Sequence, residues 1–343
     1  MYVAPRPKLE DDPLFALRLA MLCVISFAAV QWIKPVLPAL VVTLPIGLMA
    51  GQRKRFDPLL GIVAPLLFVA LVWIMTLFVS ATRELPLLMI AVTFWIFFGG
   101  FFLIRRTGSP IGILVIMAAA LMSIMGLKSP STLFYFRDGF TQGALLSLVA
   151  VPVLSWLIPP ASSEVHRREV TLVADHRGRG SLIRAAVLLL LCFWLYAVMP
   201  ASDMILAIGA IFVLVFPTRG QAVSEALQRS LATLYGTGAA LLILGALSWN
   251  GHFAILLGLV ALAGLAFGWR MMEGPQPSMV YQYGLSVCLA LVAGALSSQS
   301  PAYAALMRVL LTGAGAISAA LLVALLDRLL LEPKGVAMKA AAD

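Results

Sequence analysis

Charge is what this sequence has least of. Of 343 residues, 24 are Lys or Arg and 15 are Asp or Glu, together 11% of the chain, where a soluble protein carries about 25%. It also lacks a polar stretch long enough to fold alone, since the longest is only Pro159 to Gly180. Both a soluble enzyme and a membrane anchor carrying a globular head are thereby excluded. Cysteine is scarce: Cys23, Cys192 and Cys288 each fall inside an apolar run, with no CxxC, and read as small buried hydrophobes. The three histidines (His166, His176, His252) are too few and scattered for a metal centre or haem. Walker, Rossmann and nucleophile-elbow patterns are absent, which excludes ATP-driven transport by this chain. No cofactor and no enzymatic activity are expected.

What is present is apolar, at 62% of residues. A membrane-spanning helix needs about 20 such residues; twelve would use about 240 and leave roughly 8 for each loop and tail. The expected spans are 13–31, 35–51, 58–79, 86–104, 110–126 and 140–157, then 181–198, 203–217, 229–248, 252–268, 278–297 and 303–325. Proline and glycine pairs such as Lys34-Pro35, Asp57-Pro58 and Gly274-Pro275 punctuate them. The opening MYVAPRPKLEDD is polar, and the run after it lacks a small-residue cleavage site, so it is expected to remain as the first helix.

Basic residues give the orientation. With the N-terminus in the cytoplasm, the inner loops hold 19 of the 24 Lys and Arg, and the outer side holds Lys34, Arg83, Lys128, Arg137 and Arg308. This is a positive-inside bias with both termini cytoplasmic. It accounts for the net charge of +9 without any nucleic-acid partner.

The chain also repeats itself. FALRLAMLC (15–23) and SLIRAAVLLLLC (181–192) open its two halves, with Arg18 and Arg184 in equivalent places. Six spans separate equivalent helices, and an even offset makes the repeats parallel. The expected fold is an all-α polytopic membrane protein of about twelve helices in two parallel six-helix repeats. Residues 1–157 form the first, 158–180 a short basic cytoplasmic linker, and 181–343 the second with its tail. Such duplication is typical of transporters, whose site lies between the halves near the midplane.

All acidic residues fall at span ends or in loops, so no mid-bilayer carboxylate relay is expected. Asp203, opening the short eighth span, is a candidate proton-responsive group as well as a plain helix cap. Arg18 and Arg184 read either as cations drawing an anion to the pathway or as side chains snorkelling to headgroups. Pro45 interrupts the second span and Pro217 ends the eighth, and paired proline-broken segments point to a transport site. The site is therefore expected among the first and second helices of both halves, around Pro45 and the Asp203–Pro217 segment.

A family comes into view at FPTRGQAVSEALQRSLATLYGTGAALLILG (216–245). The turn Pro217-Thr218-Arg219-Gly220, the amphipathic stretch with Ala226 and Arg229, and Gly236-Thr237 opening an apolar helix resemble the fusaric-acid-resistance-like superfamily, which includes the aromatic acid exporters. The openings LRLA and IRAA are similar to that family's repeat starts, whereas GLMAGQRKRFDP in the first half departs from the motif. With a linker of about 22 residues, the chain resembles the short, membrane-only members. The resemblance implies a bacterial inner-membrane exporter of small organic anions such as aromatic acids, driven by the proton gradient. It also implies a periplasmic adaptor of the membrane-fusion type, with Thr218, Arg219, Gly220 and Arg229 along the substrate pathway. A homo-oligomer stays open. A major-facilitator transporter of another small solute shares the span count, but GLMAGQRKRF lacks the Asp and second Gly of that family's loop. A non-transport membrane scaffold would need longer or patterned loops.

Overall fold

The computed structural model describes residues 9–52, 55–109, 111–162, 177–198, 219–249, 251–296 and 301–330. Within them the chain is helical, with no strand. The first half holds α1 (Phe15–Ile33), α2 (Pro38–Ala50), α3 (Ala64–Thr82), α4 (Pro86–Thr107), α5 (Ile111–Lys128) and α6 (Pro130–Leu157). After the linker come α7 (Arg177–Val198), α8 (Arg219–Trp249), α9 (Phe253–Glu273), α10 (Ser278–Leu296) and α11 (Pro301–Leu330). Eleven of the expected spans therefore lie on helices, and the eighth, 203–217, lies outside the described residues. Eight of the helices are long and apolar enough to cross a membrane. The chain is thus a multi-pass helical membrane protein.

Proline and glycine set the helix ends as the sequence suggests. Pro38, Pro65, Pro86 and Pro130 occupy first-turn positions, where a missing N–H costs nothing. Gly108 closes α4 at φ 67°, its N–H donating to the Ile104 carbonyl. Helix α6 begins ten residues before the expected span, because Ser129 caps it by accepting from the Thr132 N–H. The charges that suggested a loop, Arg137 and Asp138, neutralise each other at 2.7 Å.

Helix α2 is the short member, 13 residues with Pro45 inside, or about 20 Å against a hydrocarbon slab of about 30 Å. A π-helical turn, Leu59–Val63, leads into α3.

Packing crosses between the halves. Helix α1 lies along α9, α2 touches α10, and α7 lies along α4. The α1–α9 contact is close because it is made by small residues: a Cβ at Gly264 would lie 2.7 Å from the Ala20 Cα, and one at Gly268 would lie 2.8 Å from the Ala16 Cα. Other contacts come in matching pairs: α10 and α11 both pack on α8, as α5 and α6 both pack on α3. Two apolar cores result, one centred on α4, α5 and α7 and the other on α1, α2, α9 and α10. All seven tryptophans are exposed, with Trp32 and Trp249 near one end and Trp156 and Trp269 near the other. For those four, that is the interfacial placement of an aromatic belt.

Candidate functional site

Arg18 sits in the first turn of α1 and is 1% exposed, so it does not snorkel to headgroups. Its Nη2 donates to the Asp12 carboxylate in a buried ion pair. Its Nη1 donates at 3.0 Å to the Ile158 carbonyl, where α6 ends. The Ser162 N–H then donates to the Asp11 carbonyl at 3.1 Å, so the segment after α6 is stitched to the turn that precedes α1. The ion pair is single-stranded: Asp12 Oδ1 and Arg18 Nε are buried without a hydrogen-bond partner among the described residues. Burial pushes the Asp12 carboxyl up to about 6, against the opposing pull of Arg18. Sequence reasoning passed over Asp12 as one acidic residue of a polar N-terminus. The signal was there, since a carboxylate just before a helix stands within reach of an Arg in its first turn.

Arg184 is equally buried, at 1% exposure in α7, and its Nη1 donates to the Gly180 carbonyl of its own helix at 3.1 Å. A second buried guanidinium lies beside it. Arg105, in the last turn of α4, covers Gly180 so closely that a Cβ there would meet its Nη2 at 2.7 Å. The sequence offered Arg105 only as part of a topology count. Arg18 and Arg184 thus belong to different helix pairs, α1 with α9 and α7 with α4.

Arg229 forms a third cationic site, on α8. Its Nε donates to Glu225 at 3.0 Å, its Nη2 donates to the Tyr283 hydroxyl at 3.2 Å, and its guanidinium lies 4.8 Å from the Tyr283 ring centroid. Next to it Tyr235 and Tyr281 stack with rings 6.3 Å apart. Pro45 is connected to this group through α10: Gln282 Nε2 donates at 3.4 Å to the carbonyl of Gly47, two residues past the proline. Helix α10 thus touches both the helix that carries Arg229 and the helix that carries Pro45. Arg219 and Gly220 open α8. Asp203, Pro217 and Thr218 lie outside the described residues.

Two further features were not read from the sequence. Gln52, at the end of α2, is 5% exposed, and neither its Nε2 nor its Oε1 has a hydrogen-bond partner among the described residues. A cavity of about 10 Å³ lies between α4, α5 and α7, lined by Thr93, Ser123 and Cys192 among others. It has room for about one water.

The helical fold and its long apolar helices define a class, a polytopic membrane protein. Residues 190–322 match the family described as fusaric acid resistance protein-like, the one the Pro-Thr-Arg-Gly segment resembles. The match runs from within α7 into α11. The chain matches no curated protein and no solved structure.

Proposed function

We propose that this protein is a secondary transporter of the bacterial inner membrane that exports small organic acids, aromatic carboxylates among them, using the proton gradient. The family match, to a group of transport- and efflux-related proteins, supports the class. The observation that carries the substrate class is a pair of fully buried guanidiniums, Arg18 and Arg184, in the first helix of each half. The planar fork of a guanidinium is suited to a carboxylate, and at Arg18 the carboxylate of Asp12 already engages it. Two parallel six-helix repeats, with residues 158–180 between them, are part of the same reading. The matching contacts on α3 and α8 support it, as does the likeness of α1 on α9 to α7 on α4.

Asp12 supplies the link to protons in this proposal. Its carboxylate occupies Arg18 as a substrate carboxylate would. When Asp12 takes up a proton, Arg18 has its charge to offer an anion, so that proton occupancy and anion occupancy are coupled. Asp203 and the Pro217–Thr218 turn complete the pathway in the second half, and Arg219, Gly220 and Arg229 continue it. Both termini lie in the cytoplasm, and a membrane-fusion-type adaptor carries the substrate across the periplasm.

The test is efflux of radiolabelled aromatic acids from proteoliposomes under an imposed pH gradient, for wild type, Arg18→Lys and Arg184→Lys. Wild-type efflux should respond to the gradient, and each lysine variant should retain insertion but lose at least about tenfold in rate. Wild-type rates in both variants, or no gradient-driven efflux of any acid in the panel, would overturn the assignment.

A further inference from the structure

Arg137 and Asp138 form an ion pair on the outside of the bundle, on α6, with side chains 22% and 50% exposed. Arg137 Nε and Nη2 both engage Asp138 Oδ1, at 2.8 and 2.7 Å. The guanidinium also lies 4.5 Å from the Trp73 ring centroid on α3 and 5.0 Å from that of Phe134. Trp73 Nε1 in turn donates to Thr141 Oγ1 at 3.2 Å, which fixes the level of this cluster against α3.

That level is inside the apolar surface. Trp73 stands nine residues before the end of α3 and Arg137 seven residues into α6, roughly 11 to 13 Å from the turns carrying Arg83, Glu84 and Lys128. Exposed Leu77 on α3 and exposed Leu87 on α4 lie nearer that end than the pair does. Lipid-facing charge with apolar surface on its outer side is expensive, and such groups normally face a protein partner. The remaining polar atoms, Arg137 Nη1 and Asp138 Oδ2, make no hydrogen bond among the described residues.

We propose that this face of α6 is an interface with a second copy of the chain, related by a two-fold axis along the membrane normal. Charge complementarity selects that occupant. Arg137 and Asp138 are adjacent and opposite in sign, so a two-fold places Arg137 of each copy against Asp138 of the other, at the same depth. No foreign helix carries that complement by necessity, whereas a second copy always does. Below the pair, Leu145, Val149, Val153 and Trp156 are exposed, at the three- and four-residue spacing of a helix-packing seam. Gln142 joins them one turn below the pair. Polar groups that pair across helices are the usual cement of such contacts in lipid.

Single cysteines introduced into the full-length protein test this in native membranes. The three native cysteines are buried and give no background. Oxidation of Val149→Cys should yield a species of twice the monomer mass, whereas Leu242→Cys, exposed on α8, should yield none. Arg137→Asp sets like charges against each other and should abolish the cross-link and halve the particle mass in nanodiscs. Adding Asp138→Arg in the same chain should restore both. Asp138→Asn, a milder change for a variant that must insert, should weaken the cross-link. A monomer with no cross-link at 149 would overturn the proposal. So would an adduct of any other mass, equal cross-linking at 242, or a cross-link indifferent to Arg137→Asp and Asp138→Asn.

Discussion

The first helices of the two halves carry the same buried cation and hold it differently. Arg18 in α1 reaches outward, to a carboxylate that precedes the helix and to a carbonyl 140 residues away. Arg184 in α7 bonds back to its own helix, four residues away, and lies beside the guanidinium of Arg105. One arginine therefore ties the N-terminal turn to the end of α6, while the other lies at the junction of α4 and α7, close to Arg105. Equivalent positions in a chain read as a repeat have taken on unequal duties.

Breaking the first pair should have the largest effect. Arg18→Met leaves Asp12 buried without its partner and should cost about 3–5 kcal/mol. The double variant Asp12→Asn with Arg18→Met should recover most of that in detergent melts. A double variant no more stable than the single one would show that the pair itself is not what the N-terminal turn depends on.

The pair should also write itself into the pH profile. The Asp12 carboxyl is raised from 3.8 to about 6, so the folded state holds its proton more tightly than the unfolded chain does. The resulting stabilisation is fully present below about pH 4 and is lost as pH rises through about 6, amounting to roughly 3 kcal/mol. Melting curves of wild type and Asp12→Asn across this window should diverge in that sense. Parallel profiles would remove Asp12 from the account.

Smaller effects separate the two cross-half contacts. At Gly268 the neighbour of a new Cβ is the Ala16 backbone, at 2.8 Å; at Gly180 it is the far end of the Arg105 side chain, at 2.7 Å. Backbone cannot step aside, so Gly268→Val should cost about 1–3 kcal/mol. A guanidinium can shift, and Gly180→Ala should stay within about 0.5 kcal/mol. Equal costs at the two glycines would mean that Arg105 is held as firmly as a backbone.

Most helix positions were legible in the sequence because apolar length and proline placement act locally. Pro38, Pro86 and Pro130 open helices within the first turn, and Gly108 ends one. The start of α6 was not legible, since Arg137 and Asp138 look like loop residues until their ion pair is seen. Arg18, Arg184 and Arg229 could be singled out as cations in unusual places. Their partners could not: Ile158 is 140 residues from Arg18, and Tyr283 is 54 residues from Arg229. Composition can identify a costly charge, but only folding decides what meets it. Asp12 was hidden for the opposite reason, because a carboxylate in a polar N-terminal segment is ordinary until the chain end is folded under it.

The shortness of α2 has an electrical consequence. At 13 residues it covers about 20 Å of a slab about 30 Å thick, and the loop after it carries Arg53, Lys54 and Arg55. Wherever water reaches both of its ends, the membrane voltage falls across that shorter distance, and the local field is about half as large again as in the surrounding bilayer. A charge carried past α2 would then cross nearly the whole potential, worth about 2.3 kcal/mol per 100 mV. An interior-negative membrane would thereby drive any anion on that path outward.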